Sequence, residues 1–272
     1  MRRTLVGVLL SFFLLASLAA QSLFAQSAPT EQIQVGPPPQ RRAEPPNPQA
    51  SAADLEKRGD EYRASKYYLD SLDYYLAALS KKPDNSLLLN KLGIAELQLQ
   101  RFKEARKYFE RSVKADHGYA DAWNNLGVVF YEEKRYGKAI KQYERAIELR
   151  SDFASYFSNL GAAYFSEKKF DKAVSAYSQA FQLDPDVFER TSHAGVSAQL
   201  PSPEDRAHYD YVMAKLYAKG GQTDRSLQYL RRAMEEGYKG ISDVYKDGEF
   251  NELRKDPRFA ALMSAKVLAI PD

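Results

Sequence analysis

The sequence predicts an all-α protein, built as a superhelical array of antiparallel helix pairs. Four glycines recur at a constant spacing of 34 residues, at Gly59, Gly93, Gly127 and Gly161, and a period of this length is typical of helix-turn-helix repeats. Small and aromatic residues then keep the same offsets from each glycine. Because one helix pair alone leaves an apolar face exposed, four consecutive matches predict stacked pairs with a concave and a convex surface.

The conserved offsets indicate how the two helices of a pair approach each other. Small residues let the backbones come close, and a ring fills the space beside them. Offsets of 12, 16 and 19 residues place Ser71, Ala105, Ala139 and Ala173, then Tyr75, Phe109, Tyr143 and Tyr177, then Ala78, Ser112, Ala146 and Ala180. The register therefore predicts four units, at 52–85, 86–119, 120–153 and 154–187.

The units resemble the tetratricopeptide-repeat family at several positions at once. In the third unit the matching residues are Trp123, Leu126, Gly127, Phe130, Ala139, Tyr143 and Ala146. In the fourth they are Phe157, Leu160, Gly161, Tyr164, Ala173, Tyr177, Ala180 and Pro185. The first two units depart from the pattern at Arg58 and Glu96. The resemblance implies a right-handed solenoid whose first helices line an inner groove, and it is specific for fold but not for a particular partner.

The N-terminal residues predict an export signal followed by a linker. Residues 1–25 combine a short basic start with an apolar run, Leu5 to Ala20, that is shorter than the ~20 residues of a membrane-spanning helix. We expect a signal peptide cleaved near Ala25, alternatively Ala20, and a periplasmic or secreted protein. Residues 26–51 contain seven prolines and predict a disordered Pro-rich linker; the alternative is a polyproline ligand for a partner.

After the four units the 34-residue period lapses and then partly returns. Residues 188–207 are rich in Ser, Gly and Pro and predict an irregular connection. Residues 208–272 predict a degenerate fifth unit with a helical C-terminal cap. The fifth unit keeps the offsets at Ala214, Tyr217, Ser226, Leu230 and Ala233, with its turn at Gly220-Gly221. The cap carries Phe250, Leu253, Phe259, Leu262 and Met263, split by Asp256-Pro257.

Composition argues against catalytic, metal and nucleic-acid sites. The chain has no Cys, and its net charge of +3 includes Arg2 and Arg3 of the predicted signal peptide. Acidic residues interrupt the basic stretches, which are therefore expected to be solvated faces. The three histidines, His117, His193 and His208, lack a second ligand at helical spacing and are expected at the surface. We expect no enzyme activity, no metal, no cofactor and no nucleic-acid partner.

The family resemblance implies that a partner binds the inner helices. By register, the candidate groove residues are Asn90, Ile94, Leu97, Asp121, Asn124, Asn125, Val128, Tyr131, Ser158, Asn159, Ala162 and Phe165. Asn125 and Asn159 are candidates for bonding a peptide backbone, and Leu97, Tyr131 and Phe165 for apolar contacts. Alternatively, these asparagines are common repeat residues and the rings pack between helices.

Two functions are compatible with a predicted repeat array that follows an export signal. The first is an exported scaffold or adaptor that binds a protein or peptide in the concave groove without catalysis. The second is a structural component of an envelope assembly, held at a membrane by an uncleaved N-terminal segment. A clamp for chaperone C-terminal carboxylates is not expected, because Glu56 and Asp60, or Asn90 and Ile94, stand where that clamp needs cations.

Overall fold

The computed structural model describes residues 44–188 and 202–265. Over these ranges the chain forms eleven α-helices, three short 3-10 helices and no strand. The predicted signal peptide, most of the predicted linker, His193 with most of the irregular connection, and the last seven residues lie outside the described residues. The described part confirms the expected all-α array of packed helix pairs.

Five helix pairs follow one another along the chain, and the first four fall within the four units of the sequence register. They are α1 (Ala52–Ala64) with α2 (Tyr68–Lys81), α3 (Ser86–Gln98) with α4 (Phe102–Ala115), α5 (Ala120–Glu132) with α6 (Tyr136–Leu149), α7 (Ala154–Ser166) with α8 (Phe170–Leu183), and α9 (Pro203–Lys219) with α10 (Thr223–Glu235).

A left-handed residue closes the turn within each pair. Lys66, Gln100, Lys134 and Lys168 have φ between 58° and 63°, and Gly221 takes the same place in the fifth pair with φ of 71°. This conformation lets the chain bond the carbonyl groups that a helix leaves unpaired at its end; for example, the Arg135 N–H donates to the Phe130 carbonyl across 2.8 Å. The first helix therefore stops sharply and the second reverses direction.

Each glycine of the 34-residue repeat packs against the ring of the residue sixteen positions later. A Cβ atom on Gly127 would lie 2.5 Å from Cε1 of Tyr143, closer than a real Cβ is found, so glycine is required for this approach. In the fifth pair the glycine is replaced by Ala214 and the ring by Leu230, and both are fully buried. The smaller Leu side chain leaves room for the alanine methyl group.

The C-terminal residues cover one side of the fifth pair. Three 3-10 helices, Ile241–Tyr245, Gly248–Phe250 and Leu253–Lys255, precede α11 (Pro257–Ser264), whose N-terminus is capped by the Asp256 side chain. Their buried apolar side chains form a second core with α9 and α10 that includes Tyr211, Leu230, Val244, Phe250, Leu253, Phe259 and Leu262.

The end of the predicted linker is packed against α2 rather than extended away from it. The Tyr74 hydroxyl donates to the Glu44 carbonyl across 3.2 Å, and the Lys81 ammonium donates to the Pro48 carbonyl across 2.8 Å. Ala50 also packs against the apolar cluster that α1, α2 and α3 form around Tyr75. Proline leaves carbonyl oxygens as acceptors while removing the backbone donor, so donors on α2 can hold this segment. None of the helices in the described ranges has the length and apolar character that crossing a bilayer requires.

Candidate binding groove on the inner helices

A ladder of polar contacts joins the first helices of consecutive pairs. The Asn125 side-chain amide donates to Oδ1 of Asn90 across 3.0 Å, and the Asn159 amide donates to Oδ1 of Asn124 across 2.9 Å. Both pairs are 35 residues apart, one residue more than the repeat. The fifth residue of one inner helix therefore meets the sixth residue of the next.

The same register carries an ion pair between the first two units. The Lys91 ammonium lies 2.6 Å from a Glu56 carboxylate oxygen, again 35 residues away, and 2.7 Å from an Asp60 carboxylate oxygen. The Lys91 side chain is only 15% exposed, and charges removed from water need such partners. Glu56 and Asp60 are thus held by a cation of this chain.

The predicted groove residues divide into two sets according to their exposure. Six are buried: Asn90, Asn124, Tyr131, Asn159, Ala162 and Phe165. Six are half-buried: Ile94, Leu97, Asp121, Asn125, Val128 and Ser158. A partner that docks on this conformation reaches only the second set, which lies mainly on α3 and α5.

Two rings and one amide that we expected to contact a partner are buried in this conformation, as in the alternative that the sequence left open. Tyr131 packs with its ring centre 5.2 Å from that of Tyr136, and its hydroxyl shares a 3.0 Å hydrogen bond with Ser166. Phe165 lies 5.0 Å from Phe170 in an edge-on arrangement. Asn159 is fully buried in the ladder. Aromatic side chains bury the most apolar area when enclosed between helices, and a buried amide requires a partner.

The Asp121 carboxylate is partly exposed, but it already accepts hydrogen bonds from two side chains of this chain. Arg150 donates to a carboxylate oxygen of Asp121 across 2.7 Å, and the Tyr156 hydroxyl donates to the same oxygen. Burial, followed by the hydrogen bond to Asp121, raises the pKa of Tyr156 well above its ordinary value. The Arg150 guanidinium also lies 3.5 Å from the ring centre of Phe153, so Asp121 belongs to a network at the start of the groove.

Two polar groups, the Glu132 carboxylate and the Tyr143 hydroxyl, were not among the groove residues predicted from the sequence. Glu132, the last residue of α5, is half-buried, and burial is the single cause that raises its pKa. The Tyr143 hydroxyl on α6 is buried and makes no hydrogen bond to the described residues. The sequence holds a signal for the unpaired Tyr143 hydroxyl. Tyr75, the equivalent residue of the first unit, bonds Asp60 and Arg63, and the third unit has an apolar and an aromatic residue at those two positions.

His208 differs from its expected surface position. Its ring centre lies 4.1 Å from that of Phe170 and 5.6 Å from that of Tyr238, and the side chain is half-buried. Burial lowers the pKa of His208, because the charged imidazolium loses hydration there. Within the described residues, no three His, Asp or Glu side chains are grouped as metal ligands.

Comparisons with known proteins agree with this architecture. Residues 56–120 and 90–152 match one family model described as tetratricopeptide repeat, and residues 154–187 match a second with the same description. No curated protein sequence matches the chain.

Several solved structures are similar to this chain at low sequence identity. MamA from Desulfovibrio magneticus RS-1, from residue 41 of that protein to its end, has 16% identity and a TM-score of 0.50, over 75% of this chain and 100% of that one. Another MamA crystal structure has 23% identity and a TM-score of 0.47, over 65% and 93%. YrrB, described as a TPR protein with an unusual peptide-binding site, has 18% identity and a TM-score of 0.47, over 72% and 91%. The family models thus match the tetratricopeptide repeat over residues 56–152 and 154–187 of this chain, which include most of the first helix pair of the sequence register and all of the next three.

Proposed function

We propose that this protein is a non-catalytic scaffold that holds a protein or peptide partner against the inner face of α3 and α5. The observation that carries the proposal is the incomplete burial of Ile94, Leu97 and Val128, three apolar side chains of consecutive inner helices. Ile94 and Val128 occupy the same position in their units, so they are neighbours along the groove. Apolar area left in water favours a partner that covers it.

The rest of the inner face supports a preformed surface. The asparagine ladder and the Lys91 ion pair hold consecutive inner helices in one register. A surface that is ordered before binding avoids part of the entropy cost of association. The Asn125 side chain, half-buried beside the apolar residues, also offers polar atoms at the edge of the patch.

The test is affinity capture from a native envelope extract with the intact protein and with an Ile94→Ala/Val128→Ala variant. A Leu183→Ala variant serves as the control, because Leu183 is an apolar side chain at the end of α8 with 43% exposure. Circular dichroism establishes that each variant keeps its helices. We expect partners that bind the intact protein and the control but not the groove variant. Equal capture by all three proteins would rule out this face as the binding site.

We also propose that the protein is exported, with cleavage near Ala25, or at Ala20, and that it acts in the periplasm or outside the cell. The support is the basic start and short apolar run of residues 1–25. Mass spectrometry of the protein from its native host tests this. A first residue at Gln26 supports the exported scaffold, whereas Met1 retained in the membrane fraction supports an anchored envelope component.

A further inference from the structure

The carboxylate of Glu132 lies in an environment that disfavours its charge. Glu132 ends α5, where the aligned peptide dipoles place partial negative charge and favour cations. The side chain is half-buried, and no cation contributes to its raised pKa. Burial is the largest cause that raises the pKa of Tyr136 and of Tyr143; the Glu132 charge adds to it in both, in Tyr143 after the interaction with Tyr131. The carboxylate therefore lies within electrostatic range of both tyrosines, and on α5 it lies one turn after Val128, on the same face of the helix.

The unpaired hydroxyl of Tyr143 has a specific origin in the repeat. In the first unit the equivalent Tyr75 donates to Asp60 across 2.7 Å and accepts a hydrogen bond from Arg63 across 3.1 Å. The third unit has Val128 in the place of Asp60 and Tyr131 in the place of Arg63. Neither residue offers the Tyr143 hydroxyl the carboxylate and guanidinium partners that Tyr75 has.

The second unit also has apolar residues at these two positions, but it has no buried hydroxyl. It has Ile94 in the place of Asp60 and Leu97 in the place of Arg63, and its ring is Phe109, which carries no hydroxyl. A buried hydroxyl without a partner costs about 1–3 kcal/mol, so the phenol of the third unit destabilises the fold relative to a paired hydroxyl. Glu132 and the Tyr143 hydroxyl are thus two polar groups of the third unit that no described residue pairs.

Three basic side chains of the inner helices and their turns are engaged by other groups of the chain. Arg135 pairs with Glu133 across 3.0 Å and covers the Phe130 ring. Lys168 lies 3.7 Å from Asp205. Farther along the groove, Lys91 is held by the first unit. Among the described residues, no hydrogen bond or ion pair is formed by Glu132 with any of them.

We propose that Glu132 is the centre of a subsite that accepts a Lys or Arg side chain of a bound peptide, next to the apolar patch of Ile94, Leu97 and Val128. This proposal rests on the proposed groove function and names the class of partner: an apolar segment that carries a basic residue. The ammonium or guanidinium donates to the carboxylate and lies beside the Tyr136 ring, whose face attracts cations. The basic group thereby neutralises a charge that the chain itself leaves unpaired.

The experiment selects peptides from a phage-displayed library of random short sequences on the intact protein. Peptides that bind are synthesised in two forms, one as selected and one with each Lys or Arg replaced by norleucine. Their affinities are measured by fluorescence anisotropy on the intact protein and on Glu132→Gln, Glu132→Lys, Glu148→Gln and Ile94→Ala/Val128→Ala. Glu148 is the matched control, because it is a 63% exposed glutamate near the end of α6 whose charge is paired with Arg145.

We expect selected peptides to combine apolar residues with a basic one. Norleucine replacement is expected to weaken binding about tenfold on the intact protein and on Glu148→Gln, and to have little effect on Glu132→Gln. Selection on Glu132→Lys is expected to enrich acidic residues in place of basic ones. Added salt is expected to weaken binding of the selected peptides to the intact protein but not to Glu132→Gln.

Two other outcomes are distinguishable. Peptides that require Ile94 and Val128 but bind Glu132→Gln as tightly as the intact protein would overturn the cation subsite and leave the groove function standing. If no selected peptide is affected by Ile94→Ala/Val128→Ala, both proposals are overturned. Circular dichroism of Glu132→Gln and Glu148→Gln ensures that neither result reflects unfolding.

Discussion

Asn159 donates from Nδ2 to Oδ1 of Asn124 across 2.9 Å, although the two residues are 35 positions apart. Asn159 is fully buried and Asn124 is 4% exposed, so this bond lies inside the contact between two inner helices. A repeat array is stabilised by interfaces between neighbouring units as well as within them. The pair therefore links the third and fourth units in a single register.

Removing one amide of this pair should destabilise the array. Asn159→Ala leaves Oδ1 of Asn124 without this donor, and we expect the free energy of unfolding to fall by about 1–3 kcal/mol. Urea denaturation followed by circular dichroism measures the change. The double variant Asn124→Ala/Asn159→Ala completes a cycle, in which the combined loss should be smaller than the sum of the single losses. Strict additivity would show that the two amides are not coupled.

The close approach of α5 to α6 gives a second prediction. Gly127→Ala places a Cβ 2.5 Å from the Tyr143 ring, which must move in a packed interior. We expect a loss of about 1–3 kcal/mol in the free energy of unfolding. Gly118→Ala is the control, since a Cβ there lies 3.3 Å from an exposed Asp116 carboxylate oxygen. Equal stability of the two variants would contradict the assigned packing.

The Lys91 ion pair should contribute more than an exposed one. Lys91→Ala leaves Glu56 without its cation and Asp60 with only Arg63 as a cation, 3.9 Å away, and we expect a loss of about 1–3 kcal/mol in the free energy of unfolding. Lys107→Ala breaks an ion pair with Glu104 in which Lys107 is 57% exposed, and about 0.5 kcal/mol or less is expected. Thermal and urea denaturation of both variants measure the difference. A ranking in the opposite order would be inconsistent with the partial burial of Lys91.

Asp210 on α9 should make stability depend on pH. Burial is the largest cause that raises its pKa from 3.8 to about 6, while Arg232 acts in the opposite direction. Between these values the folded chain binds a proton that the unfolded chain has released, so this group's contribution to stability falls as pH rises from about 4 to about 6. Above pH 6 the buried charge is a full penalty.

Asp210→Asn removes this penalty. We expect the variant to be more stable than the intact protein at pH 7, by on the order of 1–3 kcal/mol, and to lose the decline between pH 4 and pH 6. Urea denaturation across this pH range provides the measurement. Asp152→Asn is the control, because the Asp152 side chain is 74% exposed and its neutralisation should change stability little. A pH profile of Asp210→Asn that parallels the intact protein would refute the assignment.

Much of the fold was predictable because its determinants are local and periodic. The spacing of Gly127 to Tyr143 brings a small residue under a ring in any antiparallel pair of this length, whatever surrounds it. The fifth pair was predictable for the same reason. Ala214 and Leu230 keep that spacing, with a larger residue in place of the glycine and a smaller one in place of the ring. Caps are likewise local, as Asp256 before Pro257 illustrates.

The accessible part of the groove was less predictable. The family register placed Asn125 and Asn159 on the inner face, but it could not show that the amide of Asn159 is consumed by the preceding unit. Phe165 is enclosed by rings from both α8 and α9, including Phe170, Tyr209 and His208. Such enclosure depends on how a later, irregularly connected helix pair packs, which residue spacing within one unit does not contain.

The sequence by itself determined the all-α class, the 34-residue register and the close packing within each pair, because these follow from side-chain size at fixed helical spacing. Only the tertiary structure decided which inner side chains remain accessible on this face. Consecutive inner helices meet with an offset of one residue, so Asn90, Asn124 and Lys91 are used between units while Ile94 and Val128 are left partly in water. Exposure is a property of neighbouring units together, and that is the physical reason one unit's pattern does not specify it.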